Sequence, residues 1–132
     1  MELFPFEPRK EQAQLLADVR ETLDRQQSLL AHAPTGIGKT AAVLAPALEY
    51  ALENNKSVFF LTSRHSQHKI AVDTLKLIKK KFNIEFSAMD LIGKKWMCPV
   101  LGIKDLNSRE FKDFCDSSRH SETCPFYNKT FK

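Results

Sequence analysis

Eight consecutive residues, Ala33-Pro34-Thr35-Gly36-Ile37-Gly38-Lys39-Thr40, bring together the groups needed to hold a run of phosphates. Gly36 and Gly38 let the backbone curl so that several N–H groups face inward on phosphate oxygens. A helix expected to begin near Lys39 adds the positive end of its dipole at the same place. Lys39 is placed to reach β- and γ-phosphates, and the Thr40 hydroxyl to ligate magnesium, so ATP with Mg2+ is the expected ligand. Pro34, Thr35 and Ile37 complete the cradle through their backbones. The plain alternative is a tight strand-to-helix turn with an exposed lysine. The full pattern, after an apolar run and before a helical one, argues against it.

A second set of chemistry-bearing residues comes late. Cys98, Cys115 and Cys124 are the three cysteines of the chain, with gaps of 16 and 8 residues. An odd number argues against a disulfide framework and toward metal ligands or free thiols. Soft thiolates at such spacings suit a [4Fe–4S] cluster or Zn2+, each wanting four ligands. His120 would complete a Cys3His zinc site, and three reduced thiols without metal remain a third reading. Beside them stand Lys94, Lys95 and Arg119 with Trp96, Phe126 and Tyr127. These could neutralise and stack on single-stranded nucleic acid, or pack as a small core.

Alternating elements are expected to position these groups. Apolar residues at three- and four-residue spacing predict a helix over 7–27, carrying Gln12, Leu15, Leu16, Val19 and Leu23 on one face. Ser28–His32 reads as a buried strand feeding the phosphate loop, followed by a helix from Lys39 to Glu53 in which Pro46 predicts a kink. Ser57–Thr62 reads as a second strand, His65–Phe82 as a further helix, and Glu85–Ile92 as a third strand. This order predicts an α/β fold, a partial RecA-like parallel sheet with helices. Strand periodicity fades beyond Gly93. The boundary is therefore expected there, with residues 1–93 forming the nucleotide-binding part and 94–132 a cysteine-rich part.

At 132 residues, 42% apolar and 27% charged, the chain has the balance of a globular domain. No run approaches the roughly 18 apolar residues of a membrane span, and Met1 to Gln12 lacks the pattern of a signal peptide. A cytoplasmic place, or a nuclear one in a eukaryote, follows as the expectation. The net charge of +4 hides an asymmetry: residues 1–55 carry 5 basic and 8 acidic side chains, residues 56–132 carry 15 and 8. The basic part suits either a polyanion partner or a solvated lysine-rich surface.

Three stretches together resemble superfamily-two helicases, specifically the XPD-like branch that carries an iron–sulfur domain. Phe4-Pro5-Phe6-Glu7-Pro8-Arg9 with Gln12 looks like the segment in which arginine and glutamine contact the base of the nucleotide. Ala33 to Thr40 is similar to motif I, where Ala33 in place of glycine fits a helicase better than a kinase. Leu61-Thr62-Ser63-Arg64-His65-Ser66-Gln67 looks like motif Ia, which implies DNA contacts from Thr62, Arg64 and Gln67. The motif departs from the family pattern in placing Ser63 directly after the threonine. An ordinary helix cap is the competing reading of that turn.

Leu91 to Pro99 then resembles the lead into the family's iron–sulfur insertion. The likeness implies a [4Fe–4S] cluster on Cys98, Cys115 and Cys124, with a fourth ligand outside these residues, and DNA contacts from Lys94 and Lys95. It also implies a 5′-to-3′ DNA helicase acting in repair, with single-stranded DNA and duplex junctions as partners and the remainder of a helicase chain beside this portion. Within the 132 residues there is no Asp-Glu-x-His box, so ATP turnover by these residues alone is not expected. A different class, a non-catalytic nucleotide- or nucleic-acid-binding module with a Cys3His zinc site, stands as the alternative.

Overall fold

Three long helices carry the first part of the chain: α1 (Lys10–Asp24), α2 (Lys39–Asn54) and α3 (His65–Phe82). The computed structural model describes residues 3–131. It divides into two units, Met1–Asp90 and Leu91–Lys132.

α1 forms where the sequence repeats apolar residues on one face, and its buried side chains are Gln12, Leu15 and Val19. Its first turn is closed by the Gln12 side chain, whose Oε1 accepts the Arg9 backbone N–H at 2.9 Å. α2 starts directly from Gly38 and stops at Asn55, which takes the left-handed conformation with φ of 51°. Small side chains dominate its buried face: Ala41, Ala42, Ala45 and Ala51, with Leu44, Pro46 and Leu48. Alanines allow close approach, and α2 packs against both α1 and α3. Asn83, with φ of 49°, ends α3 in the same manner.

One apolar cluster joins these helices. Leu3, Phe4, Leu15, Val19, Ala42, Leu48 and Ile78 are buried in it, with Leu75, Phe82, Ile84 and Phe86 packed alongside. On the surface Arg20 ties α1 to α2, bonding Glu53 at 2.7 Å and Asp24 at 3.1 Å. The Glu53 and Asp24 bonds raise its pKa above the ordinary arginine value. An exposed network of this kind contributes about 1 kcal/mol or less.

The expectation of a partial RecA-like parallel sheet is not met. Among the described residues there is no strand, and the secondary structure is helical. Ser28–His32, Ser57–Thr62 and Glu85–Ile92 carry no regular structure. Apolar side chains of the first two stand open to solvent: Leu30 fully, Phe59 at 82% and Leu61 at 87%. The physical reason is that an apolar run records a preference for burial, whereas a strand exists only when its N–H and C=O groups pair with a neighbour in register. The pattern specified the first and was read as the second.

The second unit is built from short pieces. α4 (Lys94–Met97) leads to a 3₁₀ turn at Ile103–Asp105, then α5 (Ser108–His120), α6 (Pro125–Asn128) and a 3₁₀ turn at Lys129–Phe131. α5 has a complete capping box. Asn107 Oδ1 accepts from Arg109 N at 2.9 Å and Glu110 N at 3.0 Å, while Glu110 Oε2 accepts from Asn107 N at 2.7 Å. Among the described residues of this unit the buried apolar ones are Ile103, in the first 3₁₀ turn, and Phe111 of α5.

Candidate functional site

The phosphate loop lies between the segment after α1 and the first turn of α2. Both of its glycines adopt positive φ, 87° at Gly36 and 78° at Gly38. Their reasons differ. A β-carbon at Gly36 would meet nothing within 4 Å, so only its backbone angle calls for glycine. A β-carbon at Gly38 would lie 2.6 Å from Gln12 Nε2, so the end of the Gln12 side chain would have to move aside as well.

Lys39 turns back into its own loop. Its Nζ donates to the carbonyl of Ala33 at 2.9 Å and to that of Pro34 at 2.7 Å. The ammonium thus sits inside the curl where the loop would wrap an anion, held by two neutral acceptors. Ionised phosphate oxygens are stronger acceptors and would compete well for the same protons. Thr40 occupies the second position of α2, half-buried. The α2 N-terminus starts at Gly38, whose carbonyl accepts Ala42 N at 3.2 Å, and directs its first free amides toward the loop.

The loop therefore presents a cation, free helix amides and a curled backbone in one place. That arrangement can bind a polyphosphate. Gln12 joins it from α1, its buried side chain against Gly38. Arg9 is linked to Gln12 through its backbone N–H, and its side chain is exposed.

At the start of α3, Thr62, Arg64 and Gln67 form a local turn. The Thr62 hydroxyl donates to Gln67 Oε1, Arg64 N donates to Thr62 Oγ1 at 3.3 Å, and Gln67 N donates to Arg64 O at 3.0 Å. The hydroxyl and amide engage each other, while the Arg64 side chain is exposed. One turn along, His68 Nδ1 lies 2.6 Å from Asp90 Oδ1.

In the second unit Lys94 is exposed. Lys95 is engaged: its Nζ donates to the Leu106 carbonyl and lies 4.9 Å from the centre of the Trp96 ring. Arg119 stacks on Tyr127 at 4.5 Å and donates to its hydroxyl at 3.4 Å, the bond chiefly responsible for a raised arginine pKa.

Cys98, Cys115 and Cys124 are half-buried free thiols. Among the described residues no group of three or more His, Cys, Asp or Glu side chains is arranged to hold a metal ion. The donor set expected for a [4Fe–4S] cluster is thus not gathered, nor is a Cys3His zinc site with His120. Cys124 instead lines an apolar cavity of about 450 Å³ with Pro99, Val100, Leu101, Phe114 and Phe126. Cysteine spacing states how far apart ligands are along the chain; convergence depends on packing that spacing does not encode.

Two ties escaped the sequence reading. Lys81, in the last turn of α3, bonds the Pro5 carbonyl at 2.9 Å. The His68–Asp90 pair spans 22 positions. Contacts at such separations leave no local signal in composition or period. No helix of the described residues is long and apolar enough to cross a membrane.

Comparison with known proteins points to helicases. Residues 5–122 match the family model described as type III restriction enzyme, res subunit. The chain is 36% identical over 98 residues to the ATP-dependent DNA helicase DinG of Escherichia coli (strain K12), a match covering 71% of this chain and 14% of that protein. It is 31% identical over 105 residues to the probable ATP-dependent helicase MJ0942 of Methanocaldococcus jannaschii, covering 78% and 15%. The match to DinG of Salmonella typhimurium is 35% over 98 residues, covering 71% and 14%. The chain thus spans about one seventh of the length of these relatives. No solved structure matches. With a family model aligned to nearly its whole length and helicases as its relatives, the chain belongs to the type III restriction enzyme res-subunit family, as a stretch of superfamily-two helicase sequence.

Proposed function

We propose that this chain supplies the nucleotide-gripping part of an ATP-dependent DNA helicase. One observation carries the reading: Lys39 lies inside a loop curled by two positive-φ glycines at the N-terminus of α2, immediately beside Gln12. Pro34 to Gly38 wrap the triphosphate with backbone amides, Lys39 leaves its two carbonyls for the β- and γ-phosphates, and the Thr40 hydroxyl takes a place in the magnesium shell. Magnesium, when bound, neutralises charge on the phosphate oxygens. The family likeness makes Arg9 and Gln12 the contacts to the base.

The names of the helicase relatives support DNA as the second ligand. The family likeness assigns phosphate contacts to Arg64 and Lys94, both of which are exposed, with Thr62 and Gln67 in the turn that carries Arg64. The family likeness extends the proposal to movement along single-stranded DNA in the 5′-to-3′ direction, to duplex junctions and to repair, with residues 1–93 as motor and 94–132 as an appended cysteine-rich part. Thiolate ligation of a cluster by Cys98, Cys115 and Cys124 rests on that likeness alone. The donor geometry does not support it, and no step depends on it.

Equilibrium dialysis with Mg·ATP, with and without a single-stranded oligonucleotide, tests the reading. Binding of both ligands by this chain is expected, with DNA binding that weakens steeply as salt rises. Nucleotide binding without any affinity for the oligonucleotide would reduce the chain to a nucleotide-binding module. Turnover by these residues without further helicase sequence is expected to stay at background.

A further inference from the structure

The last lysine of α3 reaches across 76 positions of sequence. Lys81 Nζ donates to the Pro5 carbonyl at 2.9 Å and lies 5.5 Å from the centre of the Phe82 ring. Its neighbour Lys79 is differently occupied, paired with Glu85 at 2.8 Å. The segment it holds is well anchored. Leu3 and Phe4 are 2% and 4% exposed, packed in the cluster that contains Ile78. The Phe6 ring meets Phe4 edge-on at 5.7 Å.

From Pro5 the chain is short and stiff. Pro5 and Pro8 each fix φ, and only Phe6 and Glu7 lie between them. Arg9 follows at once as the cap of α1, bonded through its N–H to Gln12, whose amide lies against Gly38. A displacement at Pro5 therefore passes to Arg9 and Gln12 with little slack in which to be absorbed.

We propose that Lys81 is a positioning residue for recognition of the nucleotide's base, setting where Arg9 and Gln12 stand beside the phosphate loop by holding the Pro5 carbonyl. The inference rests on the reading of Arg9 and Gln12 as base contacts. It adds a residue at the far end of α3, the helix that the turn of Thr62 and Arg64 leads into. The turn proposed to meet DNA thus precedes one end of α3, and the tie to the Pro5 segment leaves the other.

The role differs from simple bracing in what it changes. A brace would shift affinity for every ligand of the loop together. A positioning residue shifts only the part owed to the base. The net worth of one partly exposed charged hydrogen bond corresponds to about a fivefold change in affinity.

The test compares Mg·ATP with magnesium tripolyphosphate, which has no base, by titration calorimetry on the full 132-residue chain. The wild type is expected to prefer ATP. Lys81→Met is expected to weaken ATP binding about fivefold and leave tripolyphosphate unchanged, and Lys81→Arg to restore the preference. Circular dichroism verifies that each variant keeps its helices; should Lys81→Met unfold, Lys81→Gln carries the same comparison. A wild-type preference for ATP that Lys81→Met retains, or a parallel loss of both ligands, overturns the inference. A wild type that binds both ligands equally sinks the base-contact reading and this inference with it. A wild type that binds neither points instead to failure of the phosphate loop.

Discussion

Gln12 and Gly38 are in contact across the boundary between α1 and the phosphate loop: a β-carbon added to Gly38 would lie 2.6 Å from Gln12 Nε2. The buried side chain of Gln12 therefore fills the space that a side chain at Gly38 would take. The loop's shape is supported from the side as well as by its own sequence.

Substitution separates the two glycines. Gly38→Ala meets both a positive φ and a blocked position, whereas Gly36→Ala meets only the angle. The first is expected to cost about 2–3 kcal/mol and the second about 1, measured by chemical denaturation. Adding Gln12→Ala to Gly38→Ala should recover at least about 0.5 kcal/mol beyond additivity, since the clash is removed while the angle persists. Strict additivity would mean that the two residues do not touch.

The helical cluster around Ile78 should govern stability of the first unit. Ile78 is 0% exposed, and its truncation to alanine is expected to cost about 2–5 kcal/mol. Leu30→Ala, at a side chain fully open to solvent, should fall within about 0.5 kcal/mol of wild type. Urea unfolding followed by circular dichroism measures both; a larger effect at Leu30 would contradict the packing described.

The cap of α5 offers an independent check on the second unit. Asn107→Ala removes the acceptor of two backbone N–H groups and should destabilise that helix by about 1 kcal/mol. Hydrogen exchange at Arg109 and Glu110 should accelerate. Unchanged protection at both would show that the box does not form.

Arg20 predicts an absence of pH sensitivity around neutrality. Its folded pKa is raised, mainly by Glu53, so its contribution is complete below the unfolded value and lost only as pH climbs through the folded one. That window lies at extreme alkalinity. Arg20→Met should lower stability by about 1 kcal/mol or less, and by the same amount at pH 6 and pH 9. A difference between those two values would assign the effect to another group.

The helices were legible because their signal is local. His65–Phe82 is helical over the residues its apolar period marks, and α1 lies inside the wider span expected for it. The two-glycine turn into α2 was legible for a related reason, as glycine angles and a helix start are both written in adjacent residues. The sheet was not, because strands need partners and apolar runs such as Val58 to Leu61 do not name any. The cysteines are a similar case: Cys98, Cys115 and Cys124 carry thiolate chemistry in their sequence, whereas their convergence is a property of packing. Lys81 shows the reverse case, an unremarkable helix-end lysine whose partner, Pro5, only the fold brings near.

The most direct test is calorimetric titration of Mg·ATP into the chain and into Lys39→Ala. With the ammonium inside a curled loop as the principal grip on the phosphates, wild type should bind and the variant should lose at least about tenfold in affinity, with its helical content unchanged. Equal affinity in the two proteins would show that the phosphates are held elsewhere, and the account of this chain as the nucleotide-binding part of a helicase would fail.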